Sequence, residues 1–141
     1  MPSYHQWHFQ LGYTHSLGLT IVARILIVDD DEADRIVLST ILERAGHETF
    51  LAEDGREAVS VYGATDIDVV ITDLQMPEVH GLELITVLRD LSPGPAIIAI
   101  SGTGSDQLDM AQALGATVTI SKPFTGDEVR SAVTAAVAGQ A

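Results

Sequence analysis

The stretch Val69–Gly81, VVITDLQMPEVHG, decides the fold. Four consecutive β-branched residues, Val69, Val70, Ile71 and Thr72, suit a strand buried on both faces of a parallel sheet. The run stops at a charged residue, Asp73, and Met76–Pro77 marks the loop beyond it. A carboxylate at the carboxyl end of such a strand lies where open α/β sheets bind ligands and do chemistry. The sheet fixes its backbone while its side chain faces a loop-lined crevice. Asp73 is therefore the candidate nucleophile, a carboxylate that accepts a phosphoryl group.

Working outward, the same pattern recurs. Arg24–Val28 (RILIV) is a short apolar run that ends abruptly in Asp29, Asp30 and Asp31. Glu32–Ala45 follows, with Ile36, Val37, Ile41 and Leu42 at helical spacing, Asp31 placed to cap the helix and Gly46 to stop it. His47–Ala52 reads as a second strand, Asp54–Gly55 as a turn, and Glu57–Tyr62 as a short helix whose apolar content is Ala58, Val59 and Val61. Beyond the organising strand, a helix from about Leu82 to Leu91 has Leu84, Ile85 and Leu88 facing inward, and Ser92–Pro93–Gly94–Pro95 breaks it. Ala96–Ile100 is a fourth strand ending at Ser101–Gly102, Asp106–Leu114 a fourth helix stopped by Gly115, and Val118–Ile120 a fifth strand leading into Ser121–Lys122–Pro123–Phe124. A last helix spans about Gly126–Ala138. Strands alternating with helices, each connection long enough for a crossover, call for a doubly wound α/β fold: a five-stranded parallel sheet with helices on both faces.

Composition narrows the function. Seven Lys and Arg against twenty Asp and Glu give a net charge of −13, which argues against a nucleic-acid surface. With no cysteine, disulfides, zinc thiolates and thiol nucleophiles are excluded. No apolar run reaches the length of a membrane span, and residues 1–20 lack the basic start and continuous apolar core of a signal peptide, so a cytoplasmic location is expected. Residues 1–20 hold three of the five histidines and the only tryptophan but no acidic residue. Their spacing matches no metal-ligand pattern, and they are expected to be a poorly ordered extension ahead of one domain, residues 21–141.

Informative polar residues end three strands: Asp29–Asp30 the first, Asp73 the third and Ser101 the fourth, with Lys122 just after the fifth. In a doubly wound sheet these ends share one edge and can meet in a single crevice. Clustered carboxylates raise one another's pKa unless a cation neutralises them, and Mg²⁺ does so with one or two carboxylates, waters and a phosphate oxygen. Lys122 supplies a mobile positive charge and Ser101 a hydroxyl. Phosphoryl transfer depends mostly on positioning and charge neutralisation, for which this set suffices. Each piece has an ordinary alternative: Asp29–Asp31 as a helix cap with solvated neighbours, Lys122–Pro123 as a turn, Ser101–Gly102 as a strand exit, Asp73 as a loop carboxylate. Their joint placement points to chemistry.

Together, Ile25–Asp31 (ILIVDDD), Val69–Gly81, Ile98–Gly102 (IAISG) and Lys122–Phe124 (KPF) resemble the response-regulator receiver domain, in the family's order and spacing, over about Arg24–Ala138. The resemblance implies a flavodoxin-like strand order 2-1-3-4-5. It implies that Asp73 is the phosphoacceptor, that Asp29 and Asp30 place Mg²⁺ (Asp30 directly, Asp29 largely through water), and that the backbone carbonyl of Gln75 is a further ligand. By the same resemblance Ser101 turns its hydroxyl to the phosphoryl group, Lys122 is the family's lysine, and the Lys122–Pro123 bond is cis. The chain departs from the family in having Thr119 where an aromatic residue often swings with the Ser/Thr, so that switch cannot operate in its usual form. His80 replaces the usual acid before the loop glycine and reads as a surface residue. Gln75 and Thr103 occupy positions that tune the lifetime of the phosphoryl group.

The expected function is a stand-alone, single-domain response regulator. A histidine kinase or histidine phosphotransfer protein donates a phosphoryl group to Asp73 with Mg²⁺ as cofactor. Output is a contact with a downstream protein or return of the group to another histidine, two alternatives that the residues leave open. No nucleic acid or membrane partner is expected, the protein is a monomer or weak homodimer, and it is no enzyme beyond turnover of its own aspartyl phosphate. One rival is a small Mg²⁺-dependent phosphohydrolase, disfavoured by the absence of a lid, a substrate pocket or a spare acid–base residue. Another is a receiver-shaped adaptor that works without phosphorylation, which Thr119 leaves open and the intact acidic and lysine set opposes.

Overall fold

The structure, a computed structural model, describes residues 10–13, 19–75, 81–91, 93–102 and 105–140. β1 (Gln10–Tyr13), in the segment 1–20 expected to be an extension, pairs antiparallel with β2 (Leu19–Val22), which crosses the expected boundary at residue 21; Gln10 is opposite Val22 and Tyr13 opposite Leu19. Residues 1–9 and 14–18 lie outside the described residues. Only Ala23 separates β2 from β3 (Arg24–Val28).

From β3 onward strands and helices alternate: α1 (Glu32–Arg44), β4 (Glu48–Ala52), α2 (Gly55–Ala64), β5 (Val69–Asp73), α3 (Gly81–Arg89), β6 (Ala96–Ser101), α4 (Ser105–Leu114), β7 (Val118–Ser121) and α5 (Gly126–Gln140). The sheet order is β4-β3-β5-β6-β7, all parallel, which is 2-1-3-4-5 when these five strands are counted in chain order. Strand pleating sends successive side chains to opposite faces, so each central strand feeds two cores. Ile25, Ile27, Val69, Ile71, Ile98 and Ile100 pack with Leu38 and Leu42 of α1 and Val129 and Val133 of α5. Leu26, Val28, Val70, Ile97 and Ala99 pack on the other face with Ala58 of α2, Leu84, Ile85 and Leu88 of α3, and Ala111 of α4. This double burial is why β3, β5 and β6 read as continuous apolar runs.

Two helices are phased differently from their expected apolar content. On α1 the buried residues are Arg35, Leu38 and Leu42, whereas Ile36 is 53% and Val37 47% exposed. At ~100° per residue, a stripe through 35, 38 and 42 turns 36 and 37 outward. On α2, Ala58 is buried and Val59 is exposed. The capping expectations hold: Asp31 Oδ1 accepts from the Ala33 N–H at 2.8 Å, and Gly46 and Gly115 follow α1 and α4 with left-handed φ of 97° and 123°.

Candidate functional site

Strand register brings the predicted residues to one edge. Val28 pairs with Thr72, so Asp29 and Asp73 leave neighbouring strands side by side. Asp73 is in register with Ile100 and Ser101 with Ser121, and the Lys122 N–H donates to the Ser101 carbonyl at 2.9 Å. The Lys122–Pro123 peptide is cis, as the resemblance implied.

Asp29 and Asp73 are held alike. The Asp31 N–H donates to Asp29 Oδ1 at 2.9 Å and the Gln75 N–H to Asp73 Oδ1 at 3.1 Å, each two residues downstream. Such local turns fix the carboxylates and leave the second oxygens turned to Lys122, whose Nζ lies 3.9 Å from Asp29 Oδ2 and 3.5 Å from Asp73 Oδ2. Arg35, buried on α1, donates from Nη1 to the Asp29 carbonyl at 2.6 Å and so locks the acidic loop to the helix. Carboxylate oxygens of Asp29, Asp30 and Asp73 lie within 4.8 Å of one another. Asp29 and Asp73 are buried and Asp30 is exposed, which leaves the cluster open on one side.

The electrostatics follow from that burial. Loss of solvation raises the Asp29 carboxyl to about 6; the Asp31 N–H opposes the rise and nearby Asp73 adds to it. Asp73 is raised for the same first reason, against the Gln75 N–H and Lys122. Burial alone would lower the Lys122 ammonium, but its hydrogen bond to Asp34 and the charges of Asp73 and Asp29 outweigh it, and its pKa rises. A half-open, all-oxygen, net negative cluster is the donor set of a hard divalent cation. The acidic residues thus fit the metal that the sequence implies, and the cation would return both carboxyls toward their ionised form.

Ser101 is buried at the end of β6, with its Oγ donating to Gln107 Oε1 of α4 at 3.2 Å. Gln75 reaches the site through its N–H. Thr119 lies in β7 opposite Ala99, while Met76, Pro77, His80 and Thr103 fall outside the described residues. Three side chains escaped the sequence reading. Asp34 is, among the described residues, the nearest acid to Lys122, at 3.1 Å. Asp34 looks in sequence like an ordinary first-turn helix acid, and Arg35 like an ordinary solvated charge. Gln107 carries no local signal at all.

Comparison with known proteins is consistent over the same span. The family model for the response regulator receiver domain matches residues 25–134. Sporulation initiation phosphotransferase F of Bacillus subtilis is 32% identical over 111 residues, 78% of this chain and 90% of that protein. Chemotaxis protein CheY of Thermotoga maritima is 37% identical over 112 residues, 78% of this chain and 93% of that protein. Autoinducer 1 sensor kinase/phosphatase LuxN of Vibrio campbellii is 36% identical over 91 residues, 64% of this chain but 11% of that protein. Among solved structures, a response regulator receiver domain protein from Clostridium thermocellum superposes with a TM-score of 0.79 at 29% identity, over 84% of this chain and 97% of that one.

Proposed function

The chain belongs to the response regulator receiver domain family of two-component systems, and on that premise we propose that Asp73 accepts a phosphoryl group from a phosphohistidine. The observation that carries this reading is the meeting of Asp29, Asp30 and Asp73 within 4.8 Å, with Lys122 Nζ 3.5 Å from Asp73. In the transfer, a carboxylate oxygen of Asp73 forms the new O–P bond as the donor's N–P bond breaks. The departing imidazole keeps the N–P electron pair. Asp29, Asp30, Asp73 and the Gln75 carbonyl would hold Mg²⁺, which when bound supplies positive charge to the phosphoryl oxygens. The protein's own contribution is positional: two backbone N–H groups fix the acids, and Lys122 offers an ammonium to the growing negative charge.

The donor is a histidine kinase or histidine phosphotransfer protein, and the protein turns over only its own phosphoryl group, in the cytoplasm. Signal output leaves through a changed protein-binding surface or by relay to another histidine. The Ser101–Gln107 hydrogen bond supports α4 as the element that responds: a hydroxyl drawn toward phospho-Asp73 lets go of Gln107. The test uses a histidine phosphotransfer domain carrying radiolabelled phosphohistidine. Label should move to the wild-type protein in the presence of Mg²⁺ and stay on the donor with Asp73→Asn. Equal labelling of the two proteins would refute the assignment of Asp73, and a partner that binds wild type and Asp73→Asn alike would favour the phosphorylation-independent adaptor.

A further inference from the structure

Lys122 is shared among three carboxylates, and its shortest contact is to the one that lies on a helix. Nζ donates to Asp34 Oδ2 at 3.1 Å, against 3.5 Å to Asp73 and 3.9 Å to Asp29. Asp34 sits in the first turn of α1, and that turn is fixed from both sides. The Asp31 side chain caps it, and Arg35 ties it to the Asp29 carbonyl. At the other end, Lys122 is anchored by its N–H to the Ser101 carbonyl. The rigid parts are therefore the acids and the backbone, and the movable part is the four-carbon lysine stem.

Resting on the reading that Asp73 is phosphorylated, we propose that Asp34 is a positioning residue that holds the Lys122 ammonium in the unphosphorylated protein and yields it to the phosphoryl group. While Asp73 carries a single charge, it competes with Asp34 for one ammonium, with Asp29 farther off, and Asp34 holds the shorter contact. A phosphoryl group brings about −1.5 to −2 charges and three acceptor oxygens, which tips the competition away from Asp34. Asp34 thereby opposes phosphorylation twice, by occupying Lys122 beforehand and by facing the new anion with a like charge afterwards. Lys122 is 28% and Asp34 34% exposed, so solvent screens the pair and the effect is modest.

The experiment compares wild type, Asp34→Asn and Asp34→Glu in phosphorylation by acetyl phosphate and Mg²⁺. Asp34→Asn keeps the shape and removes the charge, and its initial rate should rise about two- to fivefold, the range of a partly exposed ion pair. Asp34→Glu, which restores the charge, should bring the rate back toward the wild-type value. A readout that a merely structural role would not move is the ¹⁵Nζ resonance of Lys122, assigned by its loss in Lys122→Met. It should shift in Asp34→Asn, and in wild type on addition of beryllofluoride, in the same direction. An unchanged or lower rate in Asp34→Asn, or an unmoved resonance, overturns the role of Asp34 while wild-type phosphorylation leaves the functional reading intact. A wild-type protein that takes up no phosphoryl group overturns both.

Discussion

At the scale of single residues, the site is assembled at a cost to the fold. Asp29 is 2% exposed, and its carboxyl is raised from 3.8 to about 6. The folded state then holds a proton that the unfolded chain releases, so in the absence of metal this group's contribution to stability declines as pH rises from about 4 to about 6. Above that window the full penalty applies, on the order of 2–3 kcal/mol. Asp29→Asn keeps an acceptor for the Asp31 N–H and removes the charge. In EDTA at pH 7 it should be more stable than wild type by about 1–3 kcal/mol, a rise of roughly 4 °C in Tm per kcal/mol. Thermal melts of the two proteins from pH 7 down to pH 4.5 should show the gap narrowing, as wild-type Asp29 becomes protonated. A destabilised Asp29→Asn, or a gap that stays constant with pH, would contradict this assignment of strain to the buried acid.

At the scale of elements, the junction of β5 and α3 leaves no slack. A Cβ on Gly81 would lie 2.5 Å from the Leu74 Cα, backbone that cannot rotate away. Gly81→Ala must therefore push α3 off the end of the strand that carries Asp73. It should cost at least ~2 kcal/mol, read as a lower urea midpoint with unchanged slope, whereas Gly63→Ala, with open space at its Cβ, should not lower it. Sequence reading could not reach this contact, because a glycine that opens a helix looks the same whether or not another backbone presses on it. The same limit explains α1. Its helical character was plain from its apolar spacing, but Ile36 and Val37 could not be told from Leu38 and Leu42 until the phase of the helix was known. By contrast Asp29, Asp73 and Ser101 were legible because each ends a buried strand, and parallel pairing delivers all such ends to one edge. Asp34 and Gln107 were not, since they enter the site from helices whose rotation and approach are set by packing far from them.

At the scale of the whole molecule, the doubly wound sheet separates stability from chemistry. Two apolar layers flank β3, β5 and β6 along their length, and the acids of the candidate site gather at the carboxyl edge. The opposite edge is pinned by structural contacts instead: Asp68, fully buried, accepts from the Arg24 N–H at 2.8 Å, and Arg24 pairs with Glu48 and lies 4.9 Å over the Phe50 ring. A net charge of −13 is carried by this scaffold mostly on exposed faces, so the few acids that matter are distinguished by burial and convergence rather than by number. Asp73 stands where these constraints meet, and its modification is the event on which the functional reading depends. The most direct measurement is intact mass followed by peptide mapping after incubation with acetyl phosphate, with and without Mg²⁺. Gain of one alkali-labile phosphoryl group, dependent on Mg²⁺, mapped to Asp73 and lost in Asp73→Asn, is the expected result. Label on another residue, or no gain with any divalent cation or small phosphodonor, would contradict Asp73 as the acceptor.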